Sequence, residues 1–341
     1  MNILSLFDGI SCGRIALNRA GIQVDKYYAS EIDPYAIKVS STRWPANINL
    51  GDVQKINLAA LPNIDLLISG SPCQGFSRAG KELNFDDPRS ALFFDFVRIL
   101  KTLKPKYFLL ENVVMRKEYQ DIISEILGEY VNVKGNLFDE SAPLQPIKIC
   151  SSLVSAQHRE RLYWTNISGI TQPEDKHIML KDIVLEDGIP IALHNLYGGV
   201  KESSVRVFTD KSLTIRTSTG VGHIPSFIKK DWIHSAKAIE YMNRKVAGGR
   251  NHWDFGHHSD INNPKSAAVV ANFFKGVPYN VFKDWDCIRM FHPVECERLQ
   301  TLPDGYTDCG ISNTQRYRQI GNGWTVDIIA WIFSFIKGES K

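Results

Sequence analysis

In the first half of the chain, short apolar runs of strand type alternate with segments of helical period. No other feature constrains the fold as strongly. Ile3 to Phe7, Tyr27 to Glu31, Ile64 to Ser69 and Tyr107 to Glu111 read as strands. Gly13 to Ala20, Pro34 to Thr42 and Ser90 to Leu103 read as the helices between them. Strands separated by helices form parallel sheets, and such sheets bind ligands at the carboxyl ends of their strands. The second helix is well delimited, because Asp33 can cap a helix whose first position is Pro34. After about Asn166 the pattern changes to short β-prone pieces broken by Gly198-Gly199, Gly220, Gly222, Gly248-Gly249 and Gly256, so a second, smaller domain is expected there. From Pro293 the pattern turns helical again. It ends in Val326 to Ile336, an apolar helix expected to pack back on the first sheet. A chain of 341 residues, 43% apolar, can bury both parts.

Composition removes several classes. The six cysteines form no CxxC pair and no CxxC/HxxxH spacing, so neither a disulfide frame nor a zinc site is expected, and a reducing compartment is. His257-His258 has no further ligands at metal-binding spacing and reads as a polar loop. The amino terminus enters a strand without a basic leader, and no apolar run would span a membrane, so the protein is expected to stay in the cytoplasm where it is made. A net charge of +3 neither requires nor excludes a polyanionic partner. Two stretches resemble each other, Lys211 to Thr217 and Lys265 to Ala271, each followed by Gly and Pro; they read as similar hairpins and not as a duplication.

The chemistry-bearing residues fall at the expected strand ends. The loop Phe7-Asp8-Gly9-Ile10-Ser11-Cys12-Gly13 follows the first strand and opens a helix, which suits close approach of a ligand to backbone amides. It departs from GxGxxG, so a nucleoside ligand without a pyrophosphate, such as a sulfonium cofactor, suits it better than NAD. Glu31 ends the second strand, where a carboxylate can accept ribose hydroxyls, and Asp52 follows the β-like Ile48-Asn49-Leu50, where it can receive an adenine amino group; either acid can instead be a helix cap. Ser71-Pro72-Cys73-Gln74 follows the next strand and presents at its end a cysteine that is either a buried thiol or a nucleophile. Glu111-Asn112-Val113 ends the fourth strand, where a low-dielectric edge would favour a protonated carboxyl able to serve a ring nitrogen. Gln157, Arg159 and Arg161 point to one side of an extended segment, so they form either a solvated face or a site for a charged substrate.

These blocks occur in the order found in the DNA (cytosine-5) methyltransferases. The chain resembles that family over nearly its whole length: Phe7 to Gly13, Ser71 to Gln74, Glu111 to Val113, Gln157 to Arg161, Arg289 to Pro303 and Gly321-Asn322-Gly323. Phe7 to Ile10, Gly21 to Asp25 and Ala29 to Glu31 are similar to the catalytic domains of animal de novo methyltransferases. Cys73-Gln74-Gly75-Phe76-Ser77 and Gly321 to Gly323 look like stand-alone bacterial or phage members.

The resemblance implies an α/β fold with a Rossmann-like class I methyltransferase sheet and a smaller, mostly β target-recognition domain. It implies a catalytic and cofactor domain at 1–170, target recognition at 171–290 and a return segment at 291–341. S-adenosylmethionine would be the cofactor, held by Phe7, Asp8, Gly9, Ile10, Ser11, Glu31, Ile32, Asp52, Val53, Ser71, Pro72, Leu92, Asn322, Gly323 and Trp324. Trp324 can alternatively be a core aromatic. Catalysis would rest on a thiolate from Cys73, on Glu111, and on Arg161 with Arg159. Gln74, Ser77, Arg78, Lys81, Asn112, Gln157 and Arg216 would meet the substrate, with Gly75 to Lys81 either a gate over a flipped base or a simple surface loop. Lys229-Lys230, Lys237, Arg244-Lys245 and Arg250, interleaved with Trp232, Tyr241, His252, Trp253 and Phe255, suit either phosphate contact or an ordinary charged surface. The expected partners are double-stranded DNA and a cognate restriction endonuclease, without metal or membrane, and the enzyme is expected to act as a monomer. An RNA methyltransferase of the same fold is the principal rival. A non-catalytic DNA-binding homologue would lack Cys73 or Glu111, and a nicotinamide oxidoreductase would need the missing pyrophosphate loop.

Overall fold

The computed structural model describes residues 1–70, 91–132, 143–185, 189–194, 206–208, 211–213, 224–228 and 288–336. The first half alternates as expected: β1 (Asn2–Leu6), α1 (Cys12–Arg19), β2 (Lys26–Ser30), α2 (Pro34–Arg43), β3 (Ile48–Asn49), β4 (Leu66–Gly70), α3 (Ala91–Leu103), β5 (Tyr107–Val113) and α4 (Lys117–Asn132). Asp33 caps α2 through its own carboxylate, which accepts from the Tyr35 N–H at 2.9 Å, and Pro34 takes the first turn. Then come β6 (Ile147–Cys150), β7 (Gln157–His158) and β8 (Glu160–Thr165).

Seven of these strands form one sheet in the order β3-β2-β1-β4-β5-β8-β6. The pairs from β3 to β5 are parallel, whereas β8 runs antiparallel to both β5 and β6. The parallel grammar ends at β5 because the short link from β6 to β8 carries no α-helix to return the chain for a parallel pairing. Alternate strand residues feed two apolar layers. Ile3, Leu66 and Ile68 pack on one side with Ile15, Ala16 and Val39, and Leu4, Leu6 and Leu67 pack on the other with Phe93, Phe96, Leu100 and Ile123. Helices thus cover both faces, and the strand order reverses between β1 and β4. An open α/β sheet offers its ligand crevice at such a reversal.

Beyond Thr165 the chain stays against the first layer, where Ile167, Leu180 and Ile183 are buried. The described pieces that follow are β9 (Ile189–His194), β10 (Arg206–Phe208), β11 (Ser212–Leu213), β12 (Ile224–Ile228) and β13 (Ile288–Met290). Four of them form an antiparallel sheet, β10-β9-β12-β13, and β11 pairs with β7. The chain then turns helical in α5 (Pro293–Leu299), α6 (Asn313–Asn322) and α7 (Val326–Phe333). The last helix packs against α1, with Ile328, Ile329, Ile332 and Phe333 fully buried in the same layer as Ile3 and Ile68. The expected return to the first sheet is therefore observed. The second of the two look-alike stretches, Lys265 to Ala271, and the basic–aromatic run from Lys229 to Phe255 lie outside the described residues.

Candidate active site

The loop after β1 is bent by three left-handed positions on alternate residues, Phe7, Gly9 and Ser11 (φ 55°, 58° and 61°). It is tied down from several elements. Asp8 accepts from the Ser11 hydroxyl at 2.5 Å and from the Tyr27 hydroxyl at 2.7 Å, and Ser11 also meets Ser40 at 2.6 Å. Burial pushes the Asp8 carboxyl up to about 6, outweighing the hydroxyls of Ser11, Ser5 and Tyr27 that pull it down. Burial, reinforced by Asp8, likewise raises Tyr27 well above the usual phenol range, so it stays a donor. From the far end of the chain, the Tyr306 hydroxyl donates to the Ile10 carbonyl at 2.8 Å and receives the Trp44 indole N–H at 3.0 Å.

At the end of β2, Glu31 accepts from the Gly9, Ile32 and Asp33 N–H groups at 2.8, 2.7 and 2.8 Å. These bonds hold the carboxylate at the sheet edge and leave a lone pair on Oε2 for a further donor. Beside it the Ile32 side chain is 72% exposed, a large apolar surface next to a carboxylate. A Cβ at Gly9 would meet nothing within 4 Å, so the loop has open space in front of it. A rigid Gly-containing loop, a strand-end carboxylate and an exposed apolar side chain fit a nucleoside-bearing cofactor. Asp52 caps the short turn Val53–Lys55 by accepting from Gln54 N–H at 3.0 Å, and Val53 is buried beneath it. Leu92 is partly buried against the second apolar layer, and Asn322 is exposed.

The adjacent strand ends assemble the acid–base groups. Gly70, the last residue of β4, is paired in register with Glu111 of β5, and Val113 is paired with Arg161 of β8. Glu111 is buried; its Oε1 lies 2.9 Å from Arg161 Nε, and its Oε2 accepts from Trp324 Nε1 at 3.1 Å. Asn112 is buried beside it, its side-chain oxygen accepting from the Val113 N–H at 2.8 Å. Arg159 is buried too and donates to the carbonyls of Gly323 (3.1 Å) and Gly321 (3.4 Å). Burial first, and then the charge of Arg161, lowers the Arg159 guanidinium to about 9, partly offset by Glu111; it remains charged at neutral pH. The alternating arginines are thus not a solvated face. They divide their work: Arg161 meets the carboxylate and Arg159 the return segment.

Gln157 is fully buried and reaches the return segment, donating to Leu299 O at 3.1 Å and to Gln300 Oε1 at 3.4 Å. Gln300 in turn donates to Ile320 O at 3.0 Å and Gly323 O at 3.3 Å and accepts from Thr325 Oγ1 at 2.9 Å. A second buried cluster centres on Glu297, which accepts from the Gly305 and Thr307 N–H groups and pairs with Arg316 at 3.2 Å. Glu297 and Gln300 fall in the block Arg289 to Pro303, but their roles, like those of Arg316 and Tyr306, are not visible in the sequence, since their partners lie elsewhere along the chain and, for Tyr306, at its far end.

Ser71, Pro72, Cys73, Gln74, Ser77, Arg78, Lys81 and Arg216 lie outside the described residues. Cys12 is close to the site, but burial pushes its thiol up to about 12, which leaves it protonated and inert. Among the described residues no group of three or more His, Cys, Asp and Glu could hold a metal, and no helix is long and apolar enough to cross a membrane.

A family model described as C-5 cytosine-specific DNA methylase matches residues 1–338. The chain is 38% identical over 167 residues to the orphan methyltransferase M.SPRI of Bacillus phage SPR, a match spanning 48% of this chain and 37% of that protein. It is 28% identical to the type II methyltransferase M.NlaX of Neisseria lactamica, over 98% of this chain and 96% of that one. Among solved structures, the Entamoeba histolytica methyltransferase EhMeth superposes with a TM-score of 0.62 at 16% identity, covering 98% of this chain and 97% of its own, a likeness of fold.

Proposed function

Because the chain belongs to the C-5 cytosine-specific DNA methylase family, we propose that it is a DNA (cytosine-5-)-methyltransferase acting on a cytosine flipped out of double-stranded DNA at a specific sequence. The observation that supports this most is the in-register pair Gly70 and Glu111, with Arg161 on the carboxylate. It sets a strand end three residues before Cys73 beside a buried acid and a guanidinium. S-adenosylmethionine, when bound, supplies a methyl group activated by its sulfonium charge. Phe7 to Ser11, Glu31, Ile32, Asp52 and Val53 would hold it, with Leu92 and Asn322 to Trp324 closing the pocket.

The Cys73 thiolate would add to carbon 6 of the base, and the ring electrons displaced to carbon 5 would take the methyl carbon as its bond to the sulfonium sulfur breaks, leaving a neutral thioether. Glu111 supports the addition by a proton or hydrogen bond to ring nitrogen 3, and Arg161 holds both Glu111 and the cytosine carbonyl. Loss of the carbon 5 proton to water then expels the thiolate and restores the aromatic ring. Arg159 and Gln157 keep the return segment in place. Gln74, Ser77, Arg78, Lys81, Asn112 and Arg216 would contact the nucleic acid, and Gly75 to Lys81 would close over the flipped base.

The domain division at 170 and 290, a monomeric state, a cytoplasmic location in a bacterial or phage-infected cell and a cognate restriction endonuclease belong to the same reading. The phage and bacterial relatives support the bacterial or phage setting, and of the two only the type II relative suits an endonuclease partner.

Methyl transfer from labelled S-adenosylmethionine to DNA and, separately, to tRNA, followed by nucleoside analysis, tests the proposal. Label in 5-methylcytosine of DNA, lost in Cys73→Ser, is expected. Label in tRNA alone would keep the chemistry and overturn the substrate, and a fully active Cys73→Ser protein would overturn the covalent step.

A further inference from the structure

Trp324 stands between α6 and α7, where a tryptophan would ordinarily be a packing residue or a wall for a ligand. Its surroundings are unusual in two respects. Its ring lies in a slot that is open on one side only because Gly70 has no side chain. A Cβ at Gly70 would lie 2.7 Å from Trp324 Nε1 and 3.1 Å from two further ring atoms. A Cβ at Gly13, in the first turn of α1, would lie 3.4 Å from the ring's opposite edge. The indole N–H, which can only donate, is directed at Glu111 Oε2 at 3.1 Å.

Among the described residues Glu111 therefore has one donor on each oxygen: the Arg161 guanidinium on Oε1 and the Trp324 indole on Oε2. Two donors from different elements fix the plane of a carboxyl in a way that one cannot, because a single contact leaves rotation about the terminal torsion open. The backbone carrying Trp324 is itself held, since Arg159 and Gln300 both donate to the Gly323 carbonyl. We propose that Trp324 is a positioning residue for Glu111. Its indole N–H sets the orientation of the carboxyl that serves the base, and Gly70 is the opening through which it reaches. This inference rests on the reading of Glu111 as the group that serves ring nitrogen 3.

Steady-state methyl transfer by the full chain, with Trp324→Phe as the main variant, tests it. Phenylalanine keeps an aromatic ring in the slot and removes the donor. A hydrogen bond to a charged group of ordinary strength translates into a fall in kcat of roughly 10-fold or more, while KM for S-adenosylmethionine stays within about two-fold. Because Trp324 acts through Glu111, the same replacement in a Glu111→Gln background should lower kcat by no more than about two-fold further. Gly70→Ala, which displaces the indole but keeps it, provides the second variant and should reproduce the fall in kcat should Trp324→Phe not fold.

An unchanged kcat with a raised KM for the cofactor would leave Trp324 its place in the cofactor pocket alone and overturn the inference. So would independent, multiplying losses in the double variant. If the wild type is active and Glu111→Gln is crippled while Trp324→Phe and Gly70→Ala are indifferent, the inference fails alone. If the wild type methylates no cytosine, or Glu111→Gln is fully active, the underlying reading fails and the inference falls with it.

Discussion

Two side chains with strongly altered proton affinity sit at the mouth of the sheet, and they act in opposite ways. The Cys12 thiol, pushed up to about 12 by burial, withdraws one cysteine from nucleophilic chemistry. The Asp8 carboxyl, pushed up to about 6 from 3.8, makes the cofactor loop sensitive to pH. Its folded state holds a proton more tightly than the unfolded chain. The resulting stabilisation is full below the unfolded value near 4 and is lost as pH rises through about 6. Asp8 is only partly buried, so the effect is discounted for solvent screening to about 1 kcal/mol between pH 5 and pH 7. Relative to Asp8→Asn, the wild type should lose that much stability over this interval, as read from urea midpoints at the two pH values. A wild type and variant that track each other across the interval would show that the loop carboxyl is not desolvated as described.

The elements of the catalytic sheet were legible because their signals are local. The apolar period marked β1, β2, β4 and β5 to within a few residues, and Asp33-Pro34 marked the start of α2. The antiparallel turn of β8 against β5 was not legible, because it depends on what the link from β6 does, and that link has no strong period. Nor was the division between Arg159 and Arg161. Both alternate on one face in the sequence, but one pairs with a residue of β5 and the other with carbonyls 162 and 164 positions further along the chain. Glycines were read in the sequence as loop-formers, yet Gly13 serves packing. A Cβ there would lie 2.4 Å from Ile68 Cδ1 and 3.1 Å from the Tyr27 hydroxyl, both in the layer between α1 and the sheet. Gly13→Ala should therefore cost about 1–3 kcal/mol despite the better helix propensity of alanine, because the overpacked layer must shift. Chemical denaturation measures this directly, and a stabilised variant would show that the layer has slack.

At the scale of the whole molecule, the residues nearest the two ends of the chain build one site. Arg19 reaches the Thr301 carbonyl and the Asp327 carboxylate, both at 2.6 Å, and Tyr306 holds Ile10 in the cofactor loop. The return segment also closes the first apolar layer with Phe291, Leu299, Leu302, Ile320, Val326, Ile328, Ile329, Ile332 and Phe333. Each such buried side chain is worth about 1.5–3 kcal/mol of transfer free energy, whereas a whole domain is typically stable by only about 5–15 kcal/mol. The amino-terminal sheet therefore cannot be a self-sufficient unit to which the last part of the chain is merely appended. A chain ending at residue 290 should be insoluble or molten, lacking a cooperative melt and losing S-adenosylmethionine binding by calorimetry. The missing stretch, 291–341, added as a separate polypeptide during refolding, should restore both, because what it supplies is a packed face and a few directed hydrogen bonds and not continuity of the backbone. A shortened chain that melts cooperatively and binds the cofactor unaided would mean that the sheet closes its own core, and the site would then have to be rebuilt without Trp324 and Gly323.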